Sequence, residues 1–176
     1  MSLTIPANKA TSFITPDDDA IISEIEIAAP PARVFEALTD PAQLMQWFTD
    51  VSCPAKYWNM DARVGGRYSY ASENSKLVIN GVSEFTCHGE ITEIHKDAAT
   101  GHYLLVYTWL ANWHLDKDRR TVVRWELTPT SSGTRVKVTH SGLSAEPEAR
   151  KDYSGGWTGV MKNLKQFAET GKPLRS

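Results

Sequence analysis

After Asp50, over roughly ninety residues, apolar side chains recur with period 2 between turns, and the chain then ends in one long stretch of period 3.6. That order is restrictive. Loops this short cannot carry a chain over to a parallel neighbour, so consecutive strands must pair antiparallel. A single amphipathic helix in turn has to bury its stripe against the sheet those strands make. Gly65-Gly66 reads as a turn leading into a strand over residues 67–71, and Asn80-Gly81 as a hairpin signal before a long strand over 82–94 with Gly89 as a bulge. Residues 103–110 form the most apolar strand. In 122–127, Val123, Trp125 and Leu127 alternate with Val122, Arg124 and Glu126, and Ser132-Gly133 turns the chain into a last strand over 134–140.

The N-terminal part is read in the same way. Residues 1–20 carry two prolines and three successive aspartates without periodicity and read as a flexible leader. Over residues 20–27, Ile21, Ser23, Ile25 and Ile27 alternate with Ile22, Glu24 and Glu26, which predicts a first strand with Ile25 and Ile27 inward. Pro30 and Pro31 end it. Val34, Ala37 and Leu38 then recur at helical spacing, so residues 31–39 are a short helix. Asp40 is the N-cap of a second one, with Pro41 at its first position and Leu44, Met45, Trp47 and Phe48 on its apolar face. Trp157 opens the final helix, whose stripe continues through Val160, Met161, Leu164, Phe167 and Ala168 until Gly171 and Pro173 stop it. Arg150, Lys151 and Asp152 precede it as solvated charges. The expected product is one α+β domain over residues 21–171, followed by a tail over 172–176. Its curled antiparallel sheet has roughly six or seven strands around the long helix, with the two short helices after the first strand.

Composition removes several functions. Nineteen Lys and Arg against 21 Asp and Glu leave no positive excess to neutralise a phosphate backbone, which argues against nucleic-acid binding. No run reaches the ~18 consecutive apolar residues of a membrane span, and no basic segment precedes an apolar one as in a signal peptide, so a cytoplasmic protein is expected. Cys53 and Cys87, without histidines at ligand spacing, indicate neither a disulfide framework nor a zinc site. His88-Gly89-Glu90 has the form of half a zinc-deaminase motif but lacks the Pro-Cys-x-x-Cys half. There is no Gly-x-Ser-x-Gly elbow and no phosphate loop, so neither metal nor cofactor is expected. Two polar features remain. His140 ends the last strand on its inward face, where an imidazole either binds or protonates a ligand or is satisfied by a neighbour. Residues 111–120 form a charged loop read as a solvated hairpin tip, with Trp113 and His114 placed to guard a cavity mouth or meet a partner.

The order of elements resembles the helix-grip fold of the START-like, or SRPBCC, superfamily. The individual segments PPARVFEALTDPAQLMQWF (30–48), VGGRYSY (64–70), HGEITEI (88–94), GTRVKVTHSGL (133–143) and GGWTGVMKNLKQF (155–167) are similar to the family homologous to the C-terminal domain of the activator of heat-shock protein 90 ATPase. The resemblance implies a cavity between the concave sheet and the last helix. Tyr107, Trp109, Trp125, His140, Trp157, Met161 and Leu164 are its candidate lining, with simple core packing as the alternative for each. It implies binding of a small apolar or aromatic molecule, without nucleic acid or membrane span. The alternatives are a polyketide cyclase- or hydratase-like enzyme using His140 in the same cavity, or a chaperone-linked interaction module. Either a monomer or a dimer fits.

Overall fold

The computed structural model describes residues 9–48 and 53–172. The elements run β1 (Thr11–Ile14), β2 (Ile21–Ile27), α1 (Pro31–Thr39), α2 (Pro41–Trp47), β3 (Ala55–Met60), β4 (Arg67–Ser72), β5 (Thr86–Asp97), β6 (His102–Ala111), β7 (Thr121–Thr130), β8 (Gly133–Ser141) and α3 (Pro147–Thr170). One antiparallel sheet takes the order β1-β2-β8-β7-β6-β5-β4-β3, which is the expected meander with the N-terminal strands added beside β8. It curls without closing, and α3 occupies its concave side. Tyr153, Trp157, Met161 and Leu164 of α3 share one core with Ile21 and Ile25 of β2, Leu105 of β6, Trp125 of β7 and Val138 of β8. Burial of each such side chain contributes ~1.5–3 kcal/mol, so the register that keeps them inward is strongly favoured.

Local chemistry accounts for the short helices. Pro31 starts α1 with its φ already helical, and Asp40 ends α1 while capping α2, its carboxylate accepting from the Ala42 amide at 3.0 Å. Trp47 Nε1 donates to the Ala37 carbonyl at 2.7 Å, which fixes the angle between the two helices.

The structure departs from the sequence expectation at several places, each for a physical reason. Thr11–Ile14, inside the segment read as leader, form edge strand β1 on β2, so the short helices follow the second strand. The part of the leader before residue 9 and the tail beyond residue 172 lie outside the described residues. Edge strand β3 was likewise not foreseen; only Trp58 in it is fully buried, so no alternation marks it. The Asn80-Gly81 turn forms, with both residues at positive φ, but it closes only the Ile79–Val82 bridge, and β5 starts at Thr86 and runs on to Asp97. The β5 bulge falls between Ile91 and Glu93. Gly89 instead permits close approach of β6, since a Cβ there would sit 1.8 Å from the Thr108 carbonyl oxygen. Helix α3 begins at Pro147, ahead of Trp157, because Ala149 and Tyr153 extend its buried face at four-residue spacing. Among the described residues no helix is long and apolar enough to cross a membrane.

Candidate functional site

Helix α3 does not fill its end of the sheet's concavity. A cavity of about 330 Å³ remains between its middle turns, from Asp152 to Asn163, the end of α2 and strands β4 and β6. Phe48, Tyr70, Trp109 and Trp157 form its inner wall, with Phe48 6.5 Å from both Trp109 and Trp157 and 6.2 Å from Tyr70, ring centre to ring centre. Phe85 and Trp113, packed edge to face at 5.0 Å, line it too, together with Leu77 and Ile79. The helical side carries Gly155, Gly156 and Gly159. A Cβ placed on Gly155 or Gly159 would meet nothing within 4 Å. Each glycine in a helix interior costs ~1 kcal/mol relative to alanine, so this stretch of α3 gives up stability where larger side chains would encroach on the opening.

The loop between β6 and β7 is folded inward at its start, where Trp113 is 6% and His114 2% exposed, while residues 115–118 and Arg120 are exposed as a solvated tip would be. Glu146, fully buried ahead of α3, accepts from the amides of Leu115 at 2.7 Å and Asp116 at 3.0 Å and from Arg119 Nε at 3.3 Å. Asn80 Nδ2 donates to the Trp113 carbonyl at 2.9 Å, and Asn112 bonds to Thr86 and Glu84. Of its charged side chains, Lys117, which donates to the Asn112 carbonyl at 2.8 Å, and Arg119 help to anchor the loop.

Anchoring the loop places His114 beside Tyr153. The Tyr153 hydroxyl oxygen accepts from Trp109 Nε1 at 2.9 Å and lies 2.8 Å from His114 Nε2. His114 Nδ1 is buried without a partner. If Tyr153 donates to Nε2, the imidazole proton on Nδ1 is orphaned. If Nε2–H donates to Tyr153 instead, Nδ1 is a bare acceptor and the tyrosine O–H is left over at the cavity wall. The first arrangement leaves one group unpaired and the second two, so the second holds only where an acceptor in the cavity takes the tyrosine O–H. Burial holds the Tyr153 phenol well above its ordinary pKa, and burial pushes His114 below its own, with Glu146 pulling the other way. Tyrosine and imidazole are therefore both neutral at pH 7.

His140 is arranged differently. Trp157 Nε1 donates to its Nδ1 at 3.3 Å, which puts the ring proton on Nε2, and Nε2–H donates to Thr121 Oγ1 at 2.7 Å. Thr121 passes its own proton on to the Trp109 carbonyl at 2.8 Å. Every group in the chain is satisfied. Full burial first, and then His114, hold the His140 pKa well below the usual histidine value.

Of the side chains singled out from sequence, Trp109 and Trp157 line the cavity. Tyr107, Trp125, His140, Met161 and Leu164 are buried in the core and are not among its lining residues, and Trp125 Nε1 donates to the Tyr107 hydroxyl at 2.9 Å. Asp152, Tyr153, Phe48, Tyr70 and Phe85 were missed. Tyr153 was discoverable, because Ala149, Tyr153, Trp157 and Met161 keep a strict spacing of four. Asp152 lines the opening, and burial raises its carboxyl pKa. Burial also raises the thiol of Cys87, which bonds the Tyr68 hydroxyl at 3.5 Å and is not a reactive nucleophile.

A family model described as activator of Hsp90 ATPase homolog 1-like protein matches residues 28–169. No curated protein matches the chain. Among solved structures, protein CV1439 from Chromobacterium violaceum is 25% identical with a TM-score of 0.68, over 86% of this chain and 98% of that one. An AHSA1-like protein from Aeromonas hydrophila is 22% identical with a TM-score of 0.64, over 86% and 93%. DynU16, a putative protein in the dynemicin biosynthetic locus, is 23% identical with a TM-score of 0.65, over 90% of this chain and 50% of that one. The last two likenesses bear on the fold alone.

Proposed function

The chain belongs to the activator of Hsp90 ATPase homolog 1-like family, and from that membership we propose that it is a cytoplasmic protein that binds one small apolar or aromatic molecule in the cavity beside α3. The observation that carries this reading is the trio of glycines in α3, which leaves the aromatic chamber open at a cost in helix stability. Trp109, Trp157 and Phe48 supply flat contact area, and the Tyr153 hydroxyl supplies a hydrogen bond to an acceptor on the ligand. Tyr107, Trp125, His140, Met161 and Leu164 hold those walls from behind.

Native mass spectrometry of gently purified protein, followed by identification of what denaturation releases, is the direct test. A stoichiometric apolar compound is expected. Gly159→Leu sharpens it: leucine stabilises the helix by about 0.8 kcal/mol over glycine while crowding the opening, so the thermal stability of the ligand-free protein rises as binding is lost. A fall in both would mean ordinary structural damage.

One observation favours a second reading, catalysis of the polyketide-cyclase type. Tyr153, hydrogen-bonded to His114 at the cavity wall, is placed to give a proton to a ligand oxygen. Tyr153→Phe would then lower turnover of the released compound by about 100-fold or more and leave its binding within a few-fold. A chaperone-linked role rests on the family description alone.

A further inference from the structure

The ligand-binding reading leaves the charge of the ligand open, and the cavity wall bears on it. Among the described lining residues Asp152 is the only side chain with a formal charge, and no lysine, arginine or histidine joins it there. Its carboxylate has no ion-pair or hydrogen-bond partner among the described residues, although other acidic groups of the chain are paired, Glu146 with Arg119 and Glu169 with Lys165. It sits one residue from Tyr153 on α3, where burial raises its pKa with no positive group to offset that. The rings of Phe48, Trp109, Trp113 and Trp157 line the same cavity. Aromatic faces attract cations through their quadrupoles and offer an anion nothing comparable.

We propose that the ligand of this cavity carries a protonated amine, held between the Asp152 carboxylate and the aromatic wall. This rests on the ligand-binding reading and narrows it: carboxylic acids of similar shape are disfavoured, because the only fixed charge they would meet among the described lining residues is negative. An ammonium at this position gives Asp152 the partner it lacks and cation–π contact in a partly water-excluded space. Its hydrocarbon body fills the remaining volume against Tyr70 and Phe85.

The test uses three probes of one shape, 2-phenylethylamine, 2-phenylethanol and 3-phenylpropionate, titrated into the full-length protein by calorimetry at pH 7. The amine is expected to bind about tenfold tighter than the alcohol, and the carboxylate more weakly than either. Asp152→Asn should remove the amine's advantage and leave the alcohol's affinity unchanged, with circular dichroism and the melting temperature confirming the fold. If the amine binds no tighter than the alcohol, or keeps its advantage in Asp152→Asn, the amine inference is overturned while alcohol binding that Gly159→Leu abolishes keeps the cavity reading. If none of the three binds, both fall.

Discussion

The two buried histidines sit in the same core and obey opposite rules. His140 has both ring nitrogens engaged in a chain from Trp157 through Thr121 to the Trp109 carbonyl, and it lies behind the cavity wall. His114 uses one nitrogen on Tyr153, leaves the other without a partner, and supports a residue that lines the cavity. Burial lowers the pKa of each, so a shifted pKa does not distinguish a structural histidine from a functional one. The completeness of its hydrogen bonding does, because a fully satisfied group has nothing left to offer a ligand.

The closed side of this comparison breaks most visibly at Trp157. Trp157→Ala removes a large core side chain and the donor to His140 together, and should cost ~3–5 kcal/mol in urea unfolding. His140→Ala leaves the Trp157 and Thr121 groups unpaired in the core and should cost ~2–3 kcal/mol with ligand affinity unchanged. His114→Phe, which removes one hydrogen bond and one orphaned nitrogen together, should stay within about 1 kcal/mol of wild type yet weaken the ligand through Tyr153. Loss of ligand binding in His140→Ala, in a protein that still folds, would return that residue to the site.

Acid separates the pair more gently. Both folded pKa values lie below the unfolded value of 6.5, so the unfolded chain takes up protons that the folded one refuses. This penalty is absent above pH 6.5 and grows as pH falls from there toward the folded values. The slope is up to ~1.4 kcal/mol per pH unit for each histidine. Unfolding at pH 7.5 and 5.5 should show the loss, and His114→Phe should remove only its own share.

What was legible in the sequence follows the burial of each element. Strands β2, β6, β7 and β8 each pair on both sides, β2, β7 and β8 alternate cleanly and β6 is the most apolar, and α1 was readable to its ends from Pro31 and Asp40. Strands β1 and β3 lie at the two edges of the sheet, with few or no buried side chains, and owe their form to backbone bonds from one neighbour. The helical stripe was read from Trp157 onward, yet α3 already runs from Pro147 through Gly155 and Gly156, with Ala149 and Tyr153 buried. Among the residues that line the cavity, Trp109 and Trp157 lie on the inward faces of β6 and α3 that periodicity marks. Phe48 was read as part of a helix face, and Phe85 and Tyr70 lie at positions whose partners are distant in the chain.

By itself the sequence determined the family, the antiparallel meander and the helix that grips it, because periodicity and capping are local and each residue carries its own share of the signal. Only the tertiary structure decided which aromatic rings enclose an opening and which fill the core, and which histidine is satisfied. Cavities and unpaired atoms depend on what remains after all long-range packing is complete, a quantity that no local spacing records.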